Sequence, residues 1–299
     1  MKEAFIEHRF NKQSLKLLEV INSILDEYRN LGYRLSVRQL YYQGVSRDYI
    51  ENSARSYKRI VVLVSDARQA GLVDWDMIED RGRETVVNNH WSSPAEIIRT
   101  AAQQFGIDRW EGQPCYVEVM VEKDALSGIL EPVCRKLDIR FTANKGYSSS
   151  SAMYEAGRRY SIALDRGLDA HLLYLGDHDP SGIDMTRDIR DRLDMFTYGR
   201  PIEIHRLALN IDQVKLWQPP ENPAKENDRR YRSYKEKYGK SSWELDAVEP
   251  RKLVELVEEA VRRLIDPISW QKVEKKESEM RQELEDYANK YESQTGETK

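Results

Sequence analysis

Cysteine is scarce in this chain, and long apolar runs are missing. Only two cysteines occur in 299 residues, Cys115 and Cys134, far from any C-x-x-C spacing. Both sit in apolar surroundings, so they read as buried thiols of a reducing, cytoplasmic compartment and not as a disulfide framework. There is no run of eighteen apolar residues and no apolar segment near the start, which argues against a membrane span and a secretory signal. The five histidines are scattered. No His/Cys cluster is visible, which argues against zinc. P-loop, internal repeat and low-complexity tract are also missing. What remains is a chain with 33% charged and 40% hydrophobic residues and a net charge of −4, the profile of a soluble globular protein long enough for two domains.

The pattern divides the chain. Leu15, Leu18, Ile21, Ile24, Leu25 and Tyr28 recur at helical spacing over 13–31, and Gly32 closes that helix. Ser36 and Gln39 form a capping box that should start a short helix at Val37. A third helix is expected from about Ser53 to Ala70, followed by a hairpin-like segment, "LVDWDMIEDRGR". Three helices and then a hairpin is the order of a winged helix-turn-helix, in which the third helix reads DNA. That helix carries Arg55, Lys58 and Arg59 at i, i+3 and i+4, and residues 1–70 hold 12 Lys/Arg against 8 Asp/Glu. A solvated helix face explains three basic residues as well as a DNA contact does.

After a helical connector over 91–111, strand and helix patterns alternate. "CYVEVMVE", "IRFTA", "LLYLGD" and "IEIHRLAL" are expected strands, separated by helices over 124–137, 150–165 and 181–196. This order implies an α/β domain with a parallel four-stranded sheet. Residues 218–242 are polar and contain proline, the profile of an extended surface excursion. An amphipathic helix follows over 248–265. The tail from Gln271 is charged and helix-prone, and its last eight residues are expected to be disordered. The expected division is 1–90, 91–111, 112–266 and 267–299.

The chemistry concentrates where strands end. "LLYLGDHDPSGI" stops a buried strand on Asp177 and Asp179, and "VEVMVE" stops another on Glu122. Ligands of open parallel sheets bind at the carboxyl ends of strands. Carboxylates gathered there repel one another unless a cation or proton intervenes. Mg²⁺, with Mn²⁺ as a substitute, suits such oxygen donors. The bland alternative is a solvated turn with an aspartate capping the next helix. Other D-x-D arrangements fit less well. A haloacid-dehalogenase-like site would have Thr or Val where Ser181 stands. A receiver domain needs no winged helix. An HD phosphohydrolase needs more histidine ligands. His178 is expected beside the site, contacting phosphate or supporting a ligand, with a merely solvated ring as the alternative.

A strand ending in glutamate followed by a later D-x-D with "DPSG" resembles the Toprim domain of topoisomerases, primases and related nucleases. "GDHDPSGI" is similar to the "GDPDPYGI" type of the topoisomerase VI A subunit and its eukaryotic relative, the meiotic break-forming protein. In that family a winged-helix domain precedes Toprim and carries a catalytic tyrosine in an R-D-x-[FY]-Y context. Here "VRQLYY" stands in that place, so the resemblance makes Arg38 the phosphate-holding arginine and Tyr42 the nucleophile. "ANKGYSSS" resembles the loop after the second Toprim strand. The resemblance covers about 34–215 and departs at Gln39, usually an acid, and at His178, usually proline. It implies a small A-like DNA topoisomerase or DNA-cleaving enzyme. Glu122, Asp177 and Asp179 would hold Mg²⁺, with Glu122 also catalytic. Tyr42 would form a 5′-phosphotyrosyl link on duplex DNA. A homodimer and a separate ATPase subunit would complete the machine. Two alternatives stay open: a Toprim nuclease using water, with Tyr42 packed as a structural aromatic, and a non-catalytic DNA-binding subunit.

Overall fold

Local capping chemistry sets the first three helices. The computed structural model describes residues 2–78 and 88–295, with side chains through 293. Helix α1 spans Lys12–Asn30; the side chain of Asn11 caps it by accepting from the Ser14 N–H, and Gly32 leaves it at φ +79°. Helix α2 (Val37–Ser46) begins at the expected capping box: Ser36 accepts from the Gln39 N–H, and Gln39 Oε1 accepts from the Ser36 N–H at 2.8 Å. Helix α3 (Ala54–Gln69) is capped by Ser53 and ends just before Gly71. The three bury Leu18, Ile21, Ile24, Leu40, Ile60 and Val64 in one core.

The hairpin expected after α3 is not found in its described part. Residues Trp75–Met77 form a single 3-10 turn, and Ile78 makes one isolated parallel bridge to Leu35. Arg68 lies over the Trp75 ring at 4.5 Å, which holds the segment against α3 and not as a free strand. The rest of the expected hairpin, 79–83, lies outside the described residues.

Helix α4 (Pro94–Gln104) leads to the α/β half. Strands β1 (Cys115–Val121), β2 (Arg140–Ala143), β3 (Asp169–Leu175) and β4 (Glu203–Ala208) form a four-stranded, wholly parallel sheet in the order β2-β1-β3-β4. Helices α5 (Ser127–Lys136), α6 (Ser150–Asp165) and α7 (Pro180–Phe196) connect the strands. Alternation along β1 sends Val117, Val119 and Val121 into the core with α5, and Met120 into the core with α6 and α7. Helix α8 spans Ile211–Trp217, and α10 (Pro250–Arg262) packs beside α5.

The later chain departs from expectation over 218–242 and, in its described part, at the end of the helical tail. Residues 218–242 are not an extended excursion. They form β5 (Glu221–Pro223) antiparallel to β6 (Ser241–Trp243), with helix α9 (Tyr231–Tyr238) between them. Tyr234 and Trp243, spaced among the charges, seat this unit over the end of the sheet. The tail is one helix, α11 (Pro267–Thr295), packed along α4. The tail is helical as expected; Arg99 of α4 pairs with Glu292 and donates to Asn289 at 3.1 Å, and of the last eight residues 292–295 are helical while 296–299 lie outside the described residues. No helix among the described residues is long and apolar enough to cross a membrane.

Candidate active site

The carboxyl ends of β1 and β3 lie side by side, and each delivers an acid where its strand stops. The Glu122 N–H donates to the Leu175 carbonyl at 2.9 Å, carrying the strand pairing one residue past β1. Glu122 Oε2 in turn accepts the Asp177 N–H at 2.8 Å. Burial, together with the nearby Asp179 charge, raises the Glu122 pKa. The turn fits closely around this carboxylate. A Cβ at Gly176 would lie 2.8 Å from Glu122 Oε2, and one at Gly182 would lie 3.1 Å from it and 2.3 Å from the Asp177 carbonyl oxygen. Arg206 of β4 closes the turn from behind, donating to the carbonyls of Gly176 at 2.9 Å, Asp177 at 2.6 Å and Gly182 at 3.1 Å.

The three acids do different work. Asp179 caps α7, its Oδ1 accepting from the Gly182 N–H at 2.6 Å and the Ser181 hydroxyl at 2.9 Å. Asp177 uses both oxygens: Oδ1 accepts from the Leu245 N–H at 2.8 Å, and Oδ2 meets Lys123 Nζ at 2.8 Å. From the sequence alone, a divalent metal is expected to offset this charge. Lys123 supplies part of the offset, because its ammonium also meets Glu244 at 2.9 Å and Asp246 at 2.8 Å. Burial works against that ammonium, but Asp246, Asp177 and Glu244 together hold its pKa above the ordinary lysine range. Shared three ways, Lys123 gives Asp177 only part of its charge. Burial therefore lifts the Asp177 carboxyl to about 7, against the pull of Lys123.

The helical half reaches this network through α2. Arg38 pairs with Glu244 and places Nε 2.8 Å from Asp246 Oδ2. Its guanidinium lies 5.8 Å from the centre of the Tyr42 ring. Tyr42 and Arg38 line a cavity of about 370 Å³ with Tyr41, Asn52, Tyr57, Asn222 and Pro223. Tyr41 is the packing aromatic of the pair: its hydroxyl accepts from the Ser53 N–H at 2.9 Å and meets Asn52 at 3.1 Å. Tyr42 is only 5% exposed, yet it borders the cavity. Burial and the Glu244 charge push its phenol up to about 12, with Arg38 pulling the other way.

His178 does not take the expected role. It is 1% exposed, with Nδ1 at 2.8 Å from the Tyr234 hydroxyl and its ring edge-on to Tyr238 and Trp243. Burial and the Arg206 charge pull its pKa down to about 4, so the ring is neutral and enclosed under α9. Arg55, Lys58 and Arg59 are exposed on α3 and make no ion pair among the described residues. Ala54 and Tyr57 of the same helix line the Tyr42 cavity. Lys58 and Arg59 line a second groove with Arg9 and Phe10.

Magnesium fits part of the expected ligand set. Glu122 and Asp179 each keep one carboxylate oxygen without a hydrogen bond among the described residues, and two carboxylates completed by water and phosphate suit this ion. Asp177 is not free to join while Lys123 and Leu245 hold it. Lys123, Glu244, Asp246 and Arg206 were not singled out from the sequence. Lys123 directly follows Glu122 and carried the one available signal. Glu244 and Asp246 lie more than 60 residues from Asp177, and only the packing of the 3-10 turn Leu245–Ala247 brings them in. Comparison with family models and with curated proteins returns no match for this chain.

Proposed function

We propose that the protein cleaves DNA strands by tyrosine transesterification, in the manner of type IIB topoisomerase A subunits, with a three-helix half carrying Tyr42 and a Toprim half carrying the acids. One observation carries this reading: Tyr42 and Arg38 share a cavity, and ion pairs run from Arg38 through Asp246 and Lys123 to Asp177 on the sheet's carboxyl edge. An arginine and a tyrosine beside a cavity suit a phosphodiester, since guanidinium matches phosphate in shape and charge. In the step itself, Tyr42 Oη forms a bond to phosphorus and the 3′-oxygen leaves. The phenolic proton passes to a base and the 3′-oxygen takes one up. Arg38 would hold a non-bridging oxygen as charge builds, exchanging Glu244 and Asp246 for the phosphate. Glu122 and Asp179 would hold Mg²⁺, which when bound supplies charge neutralisation next to the phosphate. Duplex DNA, a second copy of the chain and a separate ATPase subunit are the partners this reading calls for.

A second reading is favoured by the burial of Tyr42, whose phenol stays protonated far above neutral pH. Water is then the nucleophile, and the same acids serve a nuclease. The two separate on one substitution. Tyr42→Phe keeps the ring and removes the hydroxyl. Transesterification predicts protein attached to 5′ DNA ends in the parent, and loss of both cleavage and attachment in Tyr42→Phe. Normal cutting by that variant, leaving free 5′-phosphates, would establish the nuclease. Asp177→Asn should suppress cleavage in both cases. A parent that cuts nothing, even with an ATPase partner present, would leave DNA binding as the function.

A further inference from the structure

Two of the five histidines that look scattered in the sequence, His171 and His205, meet at the far end of the sheet. Parallel pairing of β3 with β4 sets His171 opposite Glu203 and Leu173 opposite His205. Alternation then puts His171, Glu203 and His205 on one face of the edge strand and its neighbour. Their donor atoms form a nearly equilateral triangle. His171 Nδ1 lies 3.2 Å from His205 Nε2 and 3.5 Å from Glu203 Oε2, and His205 Nε2 lies 3.4 Å from Glu203 Oε2. Among the described residues this is the group of three whose ligand atoms all lie within 4.8 Å of one another.

The size of that triangle is informative. The edge of a regular tetrahedron is about 1.63 times its centre-to-corner distance, so zinc bonds of about 2.0–2.1 Å need donors about 3.3–3.4 Å apart. The three measured separations bracket that value. We propose that His171 Nδ1, His205 Nε2 and Glu203 Oε2 form a three-donor site for a divalent transition metal of the zinc class, with the fourth position open to solvent. Two imidazoles and one carboxylate suit zinc, nickel or copper, whereas magnesium prefers oxygen alone. The site is reachable: the side chains of Glu203 and His205 are 66% and 43% exposed. Burial depresses the His171 pKa, favouring the neutral ring that a ligand must present. Bound metal would tie edge strand β4 to β3. His171 precedes Asp177 by six positions along the strand direction, roughly 20 Å at about 3.3 Å per residue, so this site is separate from the acids at the carboxyl edge.

Zinc titrated by calorimetry into the full chain, freed of any affinity tag, is expected to bind one ion per chain. Cobalt at the same position should give the visible absorption of a four-coordinate ion. His205→Ala and Glu203→Gln, both on exposed side chains, should weaken zinc at least about tenfold with an unchanged circular-dichroism spectrum. Zinc should also raise the melting temperature of the parent but not of His205→Ala. Glu122→Gln should bind zinc as the parent does. No stoichiometric uptake by the parent would overturn the proposal, leaving the triangle as an imidazole–imidazole hydrogen bond balanced by Glu203. Equal affinity in His205→Ala, or loss of zinc in Glu122→Gln instead, would overturn it too, the latter placing the ion at the carboxyl edge.

Discussion

Asp177 and His178 are adjacent, buried and shifted by their surroundings in ways that oppose each other in acid. The raised Asp177 carboxyl holds a proton in the folded chain between about 4 and 7, where the unfolded chain has lost it. Its stabilising contribution is complete below the ordinary carboxyl range and is lost as pH rises through about 7. His178 is depressed from 6.5 to about 4, so its contribution is complete above 6.5 and is lost as pH falls. That loss amounts to about 3 kcal/mol by pH 4. The two partly cancel. Asp177→Asn removes one side of the balance, so its stability should fall from pH 7 to pH 5 by about 2 kcal/mol more than the parent's. Urea denaturation at the two pH values measures this, and parallel pH profiles for parent and variant would contradict the assignment.

At the scale of elements, the turn between β3 and α7 is the most constrained. It must reverse the chain at once while leaving room for the Glu122 carboxylate and the Asp177 carbonyl. Pro180 opens α7 at a position where its missing N–H costs nothing. Gly182 is required because a Cβ there would press to 2.3 Å on a backbone oxygen that cannot move aside. Gly182→Ala should therefore cost about 1–3 kcal/mol in chemical denaturation. Gly44→Ala is the control: its Cβ would meet only the end of the Ile50 side chain, which can turn away, so a smaller loss is expected. This turn was readable in advance. Two acids, a proline and a glycine after an apolar run specify strand, cap and helix start by local geometry alone.

The whole molecule joins a helical half to a parallel sheet through the 3-10 turn Leu245–Ala247. Leu245 belongs to the sheet's core and Ala247 to the helical core, with Asp246 between them holding Arg38 and Lys123. With a net charge of −4, the proposed DNA binding would depend on where the basic residues lie. Arg55, Lys58 and Arg59 stand exposed on one helix that also borders the Tyr42 cavity. If all three meet phosphates, replacing them together by alanine should lower duplex affinity and reduce the slope of log affinity against log salt by about 2.7. Fluorescence anisotropy across a salt series gives that slope, and an unchanged value would remove α3 from the interface.

The sequence by itself determined what is local or periodic. Capping residues set the starts of α1, α2 and α3, and apolar alternation with intervening helices set a four-stranded parallel sheet. Strand-end acids marked its carboxyl edge. Tertiary structure alone decided which charges those acids meet. Lys123 gives Asp177 only part of its charge because Glu244 and Asp246 return from far along the chain to share it. His178 is enclosed because the aromatics of 231–243 fold over it, although their stretch is polar on average. His171, Glu203 and His205 converge because the register of β3 against β4 puts them there. The α11 tail is ordered because α4 offers it a partner. Each of these rests on an encounter between distant segments, and spacing along a chain does not encode distance through space.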